Sequence, residues 1–300
     1  MANSFTIKLP SSEAPSTREF FLRNGFDFTE TPHAFWTARG PGVNATFYRS
    51  GKLLLQGKEA EVWRGLLSDV SDHARPFQSG LSRHPSPLPA VWAGTDESGK
   101  GDYFGPLVVS GVAVKRGDME LLFTLGVDDC KAIPDGKIPE LERAIKGLCQ
   151  TETLYIGPQK YNALYDKIGN LNTLLAWAHS KVIANLLSDE NGLPIEWVLI
   201  DRFAPEKTMS KALGDTSKRV RIDQWPKAES DPAVAAASIL ARGAFLSGLS
   251  RLSKRFGLKL SPGAGAPVIT SGHRFIEIHG VAALGEVAKL HFATTQQIGG

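Results

Sequence analysis

The sequence predicts an α/β fold arranged in two domains, and three observations lead to that prediction. After residue 90, short apolar strands alternate with helical segments, which is typical of a sheet covered by helices. Before residue 75, a shorter series of strands and helices is sufficient for a small separate domain. Between them, residues 76–90 contain four prolines among polar residues, a composition that resists regular structure and favours a linker. We therefore expect domains at residues 1–75 and 91–300.

The first domain is expected to be a small antiparallel sheet with helices on one face. Its strands are predicted at residues 5–9, 35–39, 43–49 and 52–56, and its helices at 17–24 and 59–70. Ser16 or Thr17 is the predicted N-cap of the first helix, and Gly25 ends that helix. Ser50 and Gly51 are typical of the tight turn of a hairpin, here between the last two strands.

The second domain is predicted to alternate strands and helices. Its strands are expected at residues 91–95, 106–114, 154–156 and 197–200. One helix is expected to begin with Asn172 as its N-cap, and Trp177 and His179 on this helix are interpreted as packing residues. A later helix begins at Pro232, and the alanines that follow allow it to approach the sheet closely.

Composition excludes several classes of protein. The content of 42% hydrophobic and 22% charged residues is that of a globular chain rather than a disordered one. The longest apolar runs, 105–114 and 233–241, are too short to span a membrane. Two cysteines, Cys130 and Cys149, are too few for a disulfide framework or a thiolate metal site. With no secretory signal evident, we expect a cytoplasmic protein with no membrane partner. The net charge of +3 permits a polyanionic partner without requiring one.

Four acidic residues stand at the ends of predicted elements, where side chains from separate strands can meet. Asp96 and Glu97 follow the first strand of the second domain, Asp201 follows the 197–200 strand, and Glu229 precedes the helix at Pro232. Carboxylates gathered in one place repel each other unless a cation neutralises them. Oxygen ligands favour Mg²⁺ or Mn²⁺, and two such ions together suit phosphoryl displacement. Spacing alone leaves the alternative that these acids are helix caps or solvated surface charges.

The loop after these acids combines glycines with a cation. Ser98, Gly99, Lys100 and Gly101 expose backbone N–H groups and leave room for a ligand, so the loop can hold a phosphate or a sugar hydroxyl. The spacing from Gly94 to Lys100 also fits a nucleotide-binding P-loop. Three features disfavour that alternative: Gly101 replaces the hydroxyl residue that would hold Mg²⁺, the following residues cannot open a long helix, and two acids inside the loop would repel a triphosphate.

Several segments of the second domain resemble the type 2 ribonucleases H. The most specific is DESGKGDYFGP at residues 96–106, and its DYFGP half is similar to the ribonuclease HIII branch of that family. The resemblance continues in order through GVDDCK (126–131), VLIDRF (198–203), AESDPAVAAASILAR (228–242) and AKLHF (288–292). It implies a ribonuclease H-like mixed sheet flanked by helices. In the first domain, YRSGKLLLQG (48–57) is similar to half of a TATA-box-binding protein, which implies a substrate-binding role for that domain.

The resemblance also implies roles for individual residues. The family's metal-binding acids correspond to Asp96, Glu97, Asp201 and Glu229. The family loop that contacts the ribose 2′-hydroxyl and its phosphate corresponds to Gly99, Lys100 and Gly101, which Ser98 precedes. The outer residues of the family's Asp-Ser-Lys motif correspond to Asp129 and Lys131, whereas this sequence has Cys130 in the middle.

The implied activity is hydrolysis of the RNA strand of RNA–DNA hybrids. Two Mg²⁺ or Mn²⁺ ions are expected, with no small-molecule cofactor, and the products would carry 5′-phosphate and 3′-hydroxyl ends. A monomer is expected. Two alternatives remain open: incision at single embedded ribonucleotides, as in ribonuclease HII, and a non-catalytic module that binds hybrids.

Overall fold

The computed structural model describes residues 3–67, 84–85, 87–127 and 133–299. Internal contacts divide the chain into two compact units, Met1–Pro76 and Phe77–Gly300, and each unit is considered by itself. Of the linker expected at 76–90, residues 76–83 and 86 lie outside the described residues.

The first unit is a five-stranded antiparallel sheet with helices. Its elements are β1 (Asn3–Lys8), α1 (Ala14–Arg23), β2 (Asp27–Thr29), β3 (Ala34–Gly40), β4 (Val43–Tyr48), β5 (Lys52–Gly57) and α2, of which residues 60–67 are described. The strands lie in the order β1-β5-β4-β3-β2. The four predicted strands and the hairpin turn at Gly51, whose φ is 76°, are confirmed.

Two details of the first unit differ from prediction. The three-residue strand β2 was not predicted, since so short a segment carries almost no periodic signal. The first helix begins at Ala14 rather than after Ser16 or Thr17. Pro15 in its first turn fixes φ in the helical range. The two hydroxyls instead donate back to the carbonyl of Glu13, at 3.0 Å and 2.6 Å, which is the bonding of residues inside a helix.

The second unit is a mixed five-stranded sheet between helices. Its elements are β6 (Val91–Ser98), β7 (Leu107–Lys115), α3 (Met119–Thr124), α4 (Ile138–Leu148), β8 (Gln150–Ile156), α5 (Pro158–Ile168), α6 (Leu171–Ser188), β9 (Trp197–Asp201), α7 (Glu206–Leu213), β10 (Arg221–Trp225), α8 (Pro232–Arg255), α9 (Ala266–His279) and α10 (Ala293–Gln297). The strand order is β10-β9-β6-β7-β8. The first three strands run parallel, and β7 is antiparallel to both of its neighbours.

The four strands predicted for this unit are confirmed, and the helix predicted from Pro232 begins there. The helix predicted to have Asn172 as its N-cap begins two residues earlier: Asn170 is the N-cap, and its side chain accepts from the N–H of Thr173 at 3.0 Å. The strand β10 was not predicted because its five residues, RIDQW, contain neither an apolar run nor a regular alternation of polar and apolar residues.

Two glycines let helices pack tightly on the two faces of this sheet. A Cβ atom on Gly94 of β6 would lie 2.2 Å from the backbone nitrogen of Val234 in α8. A Cβ atom on Gly111 of β7 would lie 2.7 Å from the side chain of Val182 in α6. The α8 helix is long and apolar enough to cross a membrane by length and composition alone, but 67% of its apolar window is buried within the unit. The helix α8 therefore covers one face of the sheet and α6 covers the other.

Candidate active site

The strand β6 carries two of the predicted metal ligands. It ends at Ser98 rather than at Thr95 as predicted, so Asp96 and Glu97 lie within the strand. Successive side chains of a strand point to opposite faces of its sheet. Asp96 accordingly accepts a hydrogen bond from the side chain of Ser238 in α8, whereas Glu97 contacts His179 in α6. The two adjacent acids therefore face different helices.

The neighbouring parallel strand brings Asp201 beside Asp96. Thr95 pairs with Ile200 in the register between β6 and β9, so the acids that follow these two residues occupy adjoining positions at the same sheet edge. The carboxylate of Asp201 contributes to raising the pKa of Asp96, as a neighbouring like charge does.

Glu229 is carried to the same edge by a short turn. The backbone N–H of Ala228 donates to Oδ1 of Asp201 at 2.9 Å. Glu229 is the next residue, in the single 3-10 turn Ala228–Ser230. The turn is entered through Lys227, which has the positive φ of 56° that non-glycine residues rarely adopt. The contact between Ala228 and Asp201 therefore holds the turn that contains Glu229 against the end of β9.

The electrostatics of Asp96 are those of an incompletely compensated carboxylate. Burial and repulsion by Glu97 and Asp201 raise its pKa to about 7, although hydrogen bonds from Ser238 and from the backbone N–H of Glu97 oppose the shift. A nearby cation would lower the free energy of the ionised form.

The negative charge of Glu97 is compensated by neighbouring side chains of the protein. Burial alone would raise its pKa, but the hydrogen bond from His179 and the positive charge of Lys100 bring that pKa below its usual value. Nε2 of His179 lies 3.2 Å from Oε2 of Glu97, and Nζ of Lys100 lies 3.4 Å from Oε1. The interpretation of His179 as a packing residue alone is therefore incomplete. Its side chain is fully buried, as a packing residue would be, but it also contacts a predicted metal ligand.

The donor set at this edge fits a hard divalent cation. Among the residues that the structure describes, no three acidic, histidine or cysteine side chains approach closely enough to form a ready-made metal cage. The carboxylate oxygens of Asp96, Glu97 and Asp201 nevertheless lie on one sheet edge, and the raised pKa of Asp96 marks a position where positive charge is favourable.

The glycine loop has one rigid and one open position. Gly99 is buried with a φ of 89°, and a Cβ atom there would lie 2.1 Å from the carbonyl oxygen of Pro106. Gly101 is exposed, and a Cβ atom there would have no neighbour within 4 Å. Gly101 therefore leaves backbone accessible to a ligand, whereas Gly99 shapes the turn.

The P-loop alternative is wrong. In a P-loop, the glycine-lysine pair leads directly into a helix. Here Ser98 still pairs with Val108 in the β6–β7 ladder, and the chain after Gly101 passes through an isolated bridge between Phe104 and Ala288 into β7. The loop is thus the connection of an antiparallel strand pair and has no helix N-terminus to receive a triphosphate.

The remaining candidates from the sequence do not join the acids at this sheet edge in the part of the chain that the structure describes. Asp129, Cys130 and Lys131 lie outside the described residues. Asp231, only two positions after Glu229, is a structural residue: it is 1% exposed, and its side chain caps α8 by accepting from Ala233 and Val234. Sequence reasoning missed Ser238 and assigned His179 to packing alone, because their sequence positions give no signal of the acids that the fold brings next to them.

Comparisons with known proteins point to one family. Residues 93–295 match the family model for Ribonuclease HII. The chain is 36% identical to Ribonuclease HIII of Chlamydia pneumoniae, with 99% of each sequence covered, and 35% identical to Ribonuclease HIII of Chlamydia abortus, with 99% of this chain and 98% of the relative covered.

Solved structures are similar as well. The crystal structure of Bst-RNase HIII in complex with Mn²⁺ matches with a TM-score of 0.68 and 30% identity, covering 99% of this chain and 98% of the other. RNase H3 of Aquifex aeolicus matches with a TM-score of 0.56 and 28% identity, covering 95% and 99%. This chain therefore belongs to the ribonuclease HIII family, a branch of the type 2 ribonucleases H.

Proposed function

We propose that this chain hydrolyses the RNA strand of RNA–DNA hybrids and leaves 5′-phosphate and 3′-hydroxyl ends. The proposed centre consists of Asp96, Glu97, Asp201 and Glu229 with two Mg²⁺ or Mn²⁺ ions. Family membership supports the activity. The observation that carries the site is the register of β6 and β9, which sets Asp96 beside Asp201 at one sheet edge, where burial and two neighbouring carboxylates create a local need for positive charge.

Divalent metal dependence is supported by the Mn²⁺ complex of Bst-RNase HIII. When bound, two divalent cations supply the charge that activates a water and stabilises the leaving oxygen of the scissile phosphodiester. Hydrogen bonds within the chain orient the carboxylates that would bind the metal ions. Ser238 orients the carboxylate of Asp96, the N–H of Ala228 orients that of Asp201, and His179 and Lys100 orient that of Glu97.

Recognition of the RNA strand is assigned to the loop after β6. A hybrid differs from a DNA duplex by the 2′-hydroxyl of its RNA strand, which a backbone-lined loop can read without contacting bases. Gly101 leaves space for the sugar, and Lys100 is partly exposed, with 37% of its side chain accessible, and so can contact a phosphate. Cleavage should therefore depend little on base sequence.

The first unit is proposed to grip the duplex, in line with its resemblance to half of a TATA-box-binding protein. Its hairpin region presents the exposed cations Arg49, Lys52 and Lys58, which suit phosphate contacts. We further propose a cytoplasmic monomer that needs no small-molecule cofactor and has no membrane partner.

Ribonuclease HII-like incision is a second candidate, since the matching family model is that of Ribonuclease HII. A panel of labelled substrates distinguishes the two: a uniform RNA–DNA hybrid, a DNA duplex with one embedded ribonucleotide, and an all-DNA duplex, each with Mg²⁺ or Mn²⁺. We expect multiple cuts in the hybrid RNA strand and none in DNA. Incision of the single-ribonucleotide duplex alone would favour the second candidate. Hybrid binding without cleavage in either metal would favour a non-catalytic module.

A further inference from the structure

We infer that His179 is a positioning residue: it fixes the orientation of the Glu97 carboxylate for metal binding, and Thr95 fixes the orientation of His179. The inference rests on the proposed function, because it assigns Glu97 a place among the metal ligands. It adds two residues, Thr95 and His179, that act through Glu97 rather than by touching the reacting atoms.

The geometry restrains the imidazole on three sides. Its Nε2 lies 3.2 Å from Oε2 of Glu97, and its Nδ1 lies 2.8 Å from Oγ1 of Thr95. Its ring stacks on Phe203, with centroids 4.7 Å apart and planes at 21°. Thr95 and His179 are both fully buried. A ring held at both nitrogens and along one face has a single orientation available.

The hydrogen-bond chemistry also selects one tautomer. An ionised carboxylate only accepts hydrogen bonds, so the nitrogen that faces Glu97 must carry the proton. In the neutral ring Nδ1 is then an acceptor, and the hydroxyl of Thr95 must donate to it. In a neutral ring the order is therefore Thr95 hydroxyl to Nδ1, and Nε2–H to Glu97. Metal-binding side chains are commonly oriented by such an outer layer of hydrogen bonds.

Strand alternation explains why these groups meet. Thr95 and Glu97 are two residues apart on β6, so their side chains share the face that α6 covers. His179 lies on α6 between them, with one nitrogen for each. Asp96 points to the opposite face and is oriented separately from α8. Thr95 and His179 therefore orient the carboxylate of Glu97 and not that of Asp96.

The two side chains that contact Glu97, His179 and Lys100, differ in their exposure to solvent. Lys100 is partly exposed and 3.4 Å from Oε1, and its Nζ lies 5.7 Å from the centroid of Phe203. A long, partly exposed side chain is free to move to a substrate phosphate. His179 is enclosed and cannot move away. We therefore assign the permanent orientation of Glu97 to His179, whereas the contact with Lys100 is exchangeable.

The test compares Mn²⁺ affinity without substrate, by calorimetry, in the full-length wild type and three variants. His179→Phe keeps a planar ring against Phe203 but removes both nitrogens; we expect Mn²⁺ affinity and kcat to fall about tenfold, with KM for the hybrid within about twofold. His179→Gln replaces the donor near the position of Nε2 and should recover most of the loss. Thr95→Val should cause a smaller loss of about threefold, because the proton on Nε2 is no longer enforced.

A matched control is His279→Phe. His279 also bonds through Nε2, to the carbonyl of Phe256 at 2.9 Å, and it contacts Phe275 in α9. This variant removes a partly buried histidine without touching Glu97, so its Mn²⁺ affinity should equal that of the wild type.

A second measurement does not depend on the folding of the His179 variants. Nitrogen-15 chemical shifts of the His179 ring in the wild type should report the Nε2–H tautomer, and Thr95→Val should broaden or change that signal. The Nδ1–H tautomer in the wild type would overturn the inference. So would a folded His179→Phe variant with unchanged Mn²⁺ affinity, or a loss shared equally by the Gln variant. Failure of the wild type itself to bind Mn²⁺ would overturn the proposed function as well, and so the two failures are distinguishable.

Discussion

Asp201 accepts a hydrogen bond at 2.9 Å from the backbone N–H of Ala228, and this contact joins the strand β9 to the turn that carries Glu229. The contact performs two functions. It satisfies one oxygen of a carboxylate at the sheet edge, and it fixes the start of the turn that contains Glu229.

The first prediction concerns the folding stability of the chain without metal. The pKa of Asp96 is raised from 3.8 to about 7 in the folded chain. The folded chain therefore holds this proton more tightly than the unfolded chain, and the contribution of Asp96 to stability falls as pH rises from about 4 to about 7. Asp96→Asn removes the charge. With EDTA present, the variant should be more stable than the wild type by roughly 2 kcal/mol above pH 7, since the amide must still be desolvated.

Chemical denaturation of both proteins between pH 4 and pH 8 measures this difference. At pH 4 the wild-type carboxyl is protonated in the folded chain and partly protonated in the unfolded chain, whose pKa is 3.8, so most of the difference between the two free energies of unfolding should disappear. A difference that is independent of pH would mean that the charge on Asp96 does not cost folding energy.

The second prediction separates the two glycines of the recognition loop. Gly101→Val should fold normally, because a side chain there meets no atom within 4 Å. It should lower the ratio of affinities for hybrid over DNA duplex, because the branched side chain occupies the space assigned to the sugar. Binding is measured in Ca²⁺, where cleavage is expected to stall. An unchanged ratio would remove Gly101 from recognition of the 2′-hydroxyl.

The matched control is Gly99→Val. Its Cβ would lie 2.1 Å from the carbonyl oxygen of Pro106, at a φ of 89° that side chains rarely adopt. We expect this variant to lose stability by about 2 kcal/mol or more. The two glycines of the loop therefore have different roles: Gly99 shapes the turn, and Gly101 leaves space for the substrate.

The third prediction assigns Asp231 to stability rather than to metal binding. Besides capping α8, its Oδ2 accepts from Nε1 of Trp92 at 2.9 Å and lies 2.7 Å from Nε2 of His84. Asp231→Ala should cost about 3 kcal/mol of unfolding free energy, because buried donors lose their acceptor. Mn²⁺ affinity, measured below the unfolding transition, should stay within about twofold of the wild type. A large loss of affinity with little loss of stability would move Asp231 into the metal centre.

The fourth prediction concerns the first unit. Deletion of residues 1–80 should mainly raise KM for the hybrid, with a smaller effect on kcat, because the removed unit holds no candidate metal ligand. The cut leaves His84, which packs against Trp197 and Trp225 in the second unit. If Arg49, Lys52 and Lys58 contact phosphates, full-length affinity should also fall more steeply with salt, by about 0.9 in the logarithmic slope for each contact.

Kinetics of both proteins across a salt series measure the two effects. Circular dichroism of the truncated protein must first show that it is folded. Equal KM values and equal salt slopes would then leave the first unit without a substrate-gripping role.

The sequence predicts those parts of the molecule that are encoded locally. The apolar runs of β6, β7 and β9 and the proline that opens α8 are recognisable in the chain itself, and so are the acids near the strand ends. The edge strand β10 has no continuous apolar run, and its position depends on its pairing with β9. His179 is 82 residues from Glu97 in sequence, and only tertiary packing shows that a buried histidine on an apolar helix bonds to an acid.

The most direct test of the central claim is single-turnover cleavage of a uniform RNA–DNA hybrid by the wild type and by Asp96→Asn in matched Mn²⁺. Asp96 interacts with both Glu97 and Asp201, so its charge should be required by the whole centre. We expect the wild type to produce RNA fragments with 5′-phosphate ends and the folded variant to be slower by at least about a hundredfold. Cleavage by the variant at the wild-type rate would contradict the assignment of this site.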